Sequence, residues 1–109
     1  MNTSNEKRKL IMNTYFTLNT LNSSQTSFAL LSIDDSYLIL KITTGRLKKE
    51  KKIISLKDAQ HIGMDSYHTS KRLFIVIGNE TYFFYENGAG VIHYLYKHLS
   101  QITEVKKYA

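Results

Sequence analysis

The chain has 109 residues, 15 Lys and Arg against 9 Asp and Glu, a formal net charge of +6, and no Cys, Pro or Trp. That length predicts one domain able to bury one core. The missing cysteine excludes disulfides, thiolate metal sites and a thiol nucleophile. No apolar run approaches the roughly 20 residues of a spanning helix. Lys7-Arg8-Lys9 leads into a run broken by polar residues, so no leader peptide is expected. The expectation is a soluble, cytoplasmic protein, and the lack of cysteine fits a reducing compartment.

Residues 1–27 read as an N-terminal extension. Leu10, Ile11, Tyr15, Leu18 and Leu21 fall at helical spacing, with Ser4 or Asn5 to cap, and predict a helix. Thr14 to Thr17 favour a strand and leave that reading open. Asn19 to Ser27 is polar and reads as a linker. From Phe28 the chain turns strand-like. Phe28 to Ile33 and Tyr37 to Thr43 form a hairpin about Asp34-Asp35-Ser36, whose side chains favour turns. Gly45 to Lys52 is a charged connection. Strands are expected at Lys52 to Leu56, Ala59 to Met64, Arg72 to Ile77 and Thr81 to Tyr85, the last two joined by a tight turn at Gly78-Asn79-Glu80. After Asn87 to Gly90 the period becomes helical. Val91, Leu95, Leu99 and Ile102 make one apolar stripe, widened by Ile92, with Asn87 as a candidate N-cap. Residues 104–109 read as a tail.

Strands followed by a helix indicate an α+β domain over residues 28–103. The pattern fits a small antiparallel half-open β-barrel of about six or seven strands, closed by the C-terminal helix. This order resembles the pleckstrin-homology-like (PH-like) domains of small bacterial proteins. The resemblance rests on the hairpin Leu30 to Leu40, the segment Ile53 to Ile62, the strands Leu73 to Ile77 and Tyr82 to Tyr85, and the helix Val91 to Leu99. It implies a scaffold that binds phosphoinositides, peptides or other proteins. Lipid-binding PH domains usually place basic residues around the first hairpin loop. Here that loop holds Asp34 and Asp35, which repel a phosphate, so the familiar phosphoinositide mode is not expected.

Arg46, Lys48, Lys49, Lys51 and Lys52, with Glu50 among them, form the strongest local feature. They are candidates to contact phosphates or an anionic leaflet. The competing reading is a solvated hairpin tip whose lysines guard a strand edge. Lys7 to Lys9 and Lys106-Lys107 add to the charge without a defined place. Tyr82-Phe83-Phe84-Tyr85 puts aromatics on both faces of one strand, and Tyr82 and Tyr85 are candidate partner contacts. Gly88-Ala89-Gly90 stands between strand and helix, but His93 replaces the third small residue of a phosphate-binding turn. His61, His68, His93 and His98 lack metal-ligand spacing. Asp34-Asp35 reads as a turn rather than as an acid–base pair, and no strained nucleophile motif is present. The expectation is a non-catalytic binding module with no cofactor. Its partner would be a protein, with a homo-oligomer included, or an anionic membrane surface. The alternative is a nucleic-acid-binding accessory protein using Arg46 to Lys52.

Overall fold

Strand alternation begins nearer the N-terminus than residue 28. The computed structural model describes residues 10–44, 48–88 and 90–102, the side chains at 10, 11, 44, 48 and 102 excepted. Its elements are β1 (Leu10–Asn19), β2 (Ser24–Asp34), β3 (Tyr37–Thr44), β4 (Lys48–Ser55), a 3-10 turn (Leu56–Asp58), β5 (His61–Tyr67), β6 (Ser70–Ile77), β7 (Glu80–Tyr85) and α1 (Val91–Ile102). The result is a small α+β fold of seven antiparallel strands and one C-terminal helix.

The helix expected over residues 10–21 is therefore corrected to a strand, and the expected linker contributes the start of β2. The physical reason lies in the neighbours. The strand order is β4-β3-β2-β1-β7-β6-β5, which makes β1 the central strand. β1 pairs with β2 along its whole length and with β7 from Phe16 to Asn19. Two ladders satisfy backbone groups on both sides and override a weak helical periodicity. Thr14 and Phe16 turn inward and are buried, while Tyr15 between them stays 57% exposed.

Period-2 alternation sorts every strand the same way. Leu38, Leu40 and Ile42 of β3, Ile54 of β4, Leu73 and Ile75 of β6, and Tyr82 and Phe84 of β7 all point to one core. The stripe Val91, Ile92, Leu95 and Leu99 of α1 joins that core. Each fully buried Leu or Ile here contributes about 1.5–3 kcal/mol relative to exposure. The sheet curves so that strands from both ends share one cluster, but it is not closed: β4 and β5 remain its edges. No helix among the described residues is long and apolar enough to cross a membrane.

The turns follow their residues. Asp35 takes φ of 59° in the β2–β3 turn closed by the Asp34–Tyr37 pair, and Gly78 takes 59° between β6 and β7. The β5–β6 turn puts both His68 and Thr69 at positive φ. That is the twist a two-residue hairpin requires, carried without glycine or asparagine.

Candidate functional site

The lysine run lies on β4, where alternation divides it. Lys52 and Ile54 share the inward face with Leu40 and Leu38, their partners on β3. Lys49, Lys51 and Ile53 take the outward face, opposite Thr43, Lys41 and Ile39. Lys52 is half-buried, and its Nζ lies 5.9 Å from the centre of the Tyr82 ring. Lys48 begins β4, and Arg46 falls outside the described residues. The expected cluster of five cations thus becomes two outward lysines and one inward lysine in the described part.

A third outward cation comes from β3, and the sequence reading did not single it out. Lys41 pairs directly with Lys51, and both are exposed. Like charges directly opposite on one sheet face destabilise the pair. Among the described residues no carboxylate makes a salt bridge with Lys41, Lys49 or Lys51. Lys41 was legible in principle. Once Leu38, Leu40 and Ile42 are assigned inward, Lys41 must face outward.

Exposed apolar groups flank these lysines. Phe28 and Leu30 of β2 lie opposite Thr43 and Lys41. Tyr15 of β1 packs edge-on against Phe28, ring centres 5.0 Å apart. Leu30, Lys41, Thr43, Lys49, Glu50 and Lys51 line a shallow depression of about 240 Å³. A second depression of about 290 Å³ lies between Asp34, Tyr37, Ile39 and Ile53. The outer face of β1–β4 therefore combines unpaired cations with exposed rings and aliphatic groups.

The aromatic strand β7 is split by the same alternation. Tyr82 is only 1% exposed, so its ring belongs to the core rather than to an open partner-contact face. Its hydroxyl donates to Glu80 Oε1 at 2.9 Å, and burial, then Glu80, pushes its acidity constant well above the tyrosine range. Tyr85 faces outward on the other half of the sheet. Its hydroxyl bonds Thr17 Oγ1 at 2.8 Å, and its ring stands 5.7 Å from that of Tyr67. Between them Arg72 is occupied. Its Nε and Nη2 donate to Asp65 at 3.0 and 2.8 Å, and its guanidinium lies 4.6 Å over Tyr67 and 4.2 Å over Phe83. The Arg72 hydrogen bonds hold the Asp65 carboxyl below its ordinary value. Beside this group, Phe74 stacks on His61 and covers Gly63, where an added Cβ would meet the ring at 2.8 Å.

Ala89 lies outside the described residues, but the space at Gly88 and Gly90 on either side of it is filled from within the chain. Glu86 Oε2 accepts from the N–H groups of Gly88 at 2.9 Å and Gly90 at 2.7 Å, and Oε1 accepts from Ile92 at 3.1 Å. Glu86 thus caps α1, a role the sequence offered to Asn87. The Asn87 side-chain amide donates to the Asn13 carbonyl at 2.8 Å. Burial raises the Glu86 acidity constant, but the N–H donors of Ile92, Gly90, Gly88 and Val91 outweigh it, and the net shift is downward. A carboxylate sits where a phosphate would need to sit.

Asp34 and Asp35 form the β2–β3 turn as expected. The histidines are dispersed over β5, the β5–β6 turn and α1. Among the described residues no three His, Asp or Glu side chains come together at metal-binding distance. Compared with protein-family models and with curated proteins, the chain matches none.

Proposed function

We propose that the chain is a non-catalytic binding module with a PH-like, half-open barrel architecture. The outer face of β1–β4 takes an anionic partner, either an acidic protein surface or an anionic leaflet. The strand order and the helix over the concave core support the architecture. One observation carries the function: Lys41 and Lys51 stand opposite each other, with Lys49 beside them and no carboxylate bound across them in the described residues. An anion relieves that repulsion, and the exposed Tyr15, Phe28, Leu30 and Ile53 add contact area.

The Tyr15–Phe28 ring pair favours a second reading, a single-stranded nucleic acid stacked on the same face. One titration series separates them. Acidic peptide, phosphatidylserine vesicles, single-stranded DNA and duplex DNA are compared at two salt concentrations, with the wild type and a Lys41→Ser, Lys49→Ser, Lys51→Ser triple variant. Binding to peptide or vesicles, weakened at least about tenfold in the variant, is the expected result. Tight DNA binding that collapses with salt establishes the second reading instead. Binding unchanged in the variant shows that this face is only solvated.

A further inference from the structure

We propose that the free edge of β4 accepts an extended acidic segment of a partner protein as an added strand. This rests on the anionic-partner reading above and names its partner. In the described residues β4 pairs with β3 alone, so its other side presents backbone donors and acceptors without a ladder. Space exists beside it. A groove of about 310 Å³ is lined by Lys52, Ile53, Ile54 and Ser55 together with Asp58, Glu80 and Tyr82.

The chemistry of the edge selects the occupant. Outward positions read Lys49, Lys51, Ile53, the last 56% exposed beside the Tyr37–Ile39 depression. A strand laid alongside therefore meets cation, cation and apolar group on its outer face. Its inward positions meet a groove whose one cation, Lys52, is outnumbered by Asp58 and Glu80, so carboxylates gain nothing there. The fitting segment carries acidic side chains at alternate positions on one face and uncharged ones on the other.

A second copy of this chain fits poorly. Antiparallel pairing of two β4 strands about Glu50 sets Lys49 opposite Lys51, Lys48 opposite Lys52, and Glu50 opposite Glu50. Pairing about Lys51 sets Lys51 opposite itself. The first register opposes like charges at every one of these positions. The second gains two Glu50–Lys52 pairs but still sets Lys51 against Lys51 and leaves Lys49 opposite Ile53 without a counter-charge, whereas an acidic strand neutralises both outward lysines. A lipid leaflet neutralises Lys49 and Lys51 but cannot supply the alternating N–H and C=O groups that the edge lacks.

The test uses an eight-residue peptide alternating Glu and Val, read by fluorescence anisotropy and by amide hydrogen exchange over residues 48–55. The expected result is saturable binding with slowed exchange in β4. Lys49→Ser with Lys51→Ser weakens it at least about tenfold. N-methylation of alternate peptide amides, which keeps every charge but blocks a ladder, abolishes it. Equal binding of the N-methylated peptide overturns strand addition and leaves the anionic reading intact. So does binding confined to phosphatidylserine vesicles, whereas binding confined to an oligothymidylate overturns strand addition and establishes the nucleic-acid reading instead. No binding to peptide, vesicles or oligonucleotide overturns both.

Discussion

Arg72 and Lys51 are both cations on the outer face of one sheet, and the fold treats them in opposite ways. Arg72 is clamped by Asp65 and covered by two rings. Lys51 faces another lysine. The β5–β7 half spends its polar and aromatic groups on itself, and the β1–β4 half leaves them open. The β1–β4 half carries the excess positive charge and the β5–β7 half is balanced, and the partner of each charge decides which cations stay open. Glu86 belongs with Arg72, since the backbone N–H groups at the start of α1 consume its carboxylate.

Substitutions can break this contrast. The largest effect is expected at Gly63→Val, which drives a side chain into the Phe74 ring. It should cost about 1–3 kcal/mol in urea unfolding. Unchanged stability would show that the β5–β7 outer face is not packed as described. Next is Glu86→Gln, expected to cost about 1–2 kcal/mol near neutral pH through a weakened helix cap. The Glu86 acidity constant is lowered in the fold. Its contribution is therefore complete above the ordinary glutamate value and is lost as pH falls through the folded value. The gap between wild type and Glu86→Gln should close on acidification. A constant gap would detach the effect from ionisation.

Arg72→Ala should follow at about 1 kcal/mol, the sum of a bidentate surface pair and two ring contacts. The smallest change should have the opposite sign. Lys51→Glu places a carboxylate opposite Lys41 and should stabilise by about 0.2–1 kcal/mol. It should also abolish binding of acidic peptide. A loss of stability there would mean that Lys51, like Arg72, already has a structural role.

Much of this was legible where period alone decides. The strands from Phe28 to Tyr85 and the stripe of α1 follow from alternation and from 3.6-residue spacing, except that the residues 48–51 expected in a charged connection belong to β4, whose lysines hide the alternation. β1 was not, because its identity depends on β2 and β7 on either side rather than on its own propensity. The site divides similarly. Lys49 and Lys51 were visible as a run, but their separation from Lys52 needed the register, and Lys41 needed the pairing of β3 with β4. Tyr82 was indistinguishable from Tyr85 until the core face of β7 was known. Glu86 reads as an unfavourable charge near a glycine turn, and only the folded turn shows that it is the ligand of that turn.

The central place of β1 also sets the order of events in folding. Thr17 and Tyr85, which share a hydrogen bond, stand 68 positions apart in the chain. The β1–β2–β3–β4 meander can form by local hairpin closures, but the β1–β7 ladder must wait for a long loop to close. During that interval one side of β1, with Phe16 and Leu18, is an uncovered template for foreign strands. The vulnerable stage of this molecule's life is therefore before the ladder closes, and aggregation during refolding should start from β1 rather than from the basic edge of the finished sheet.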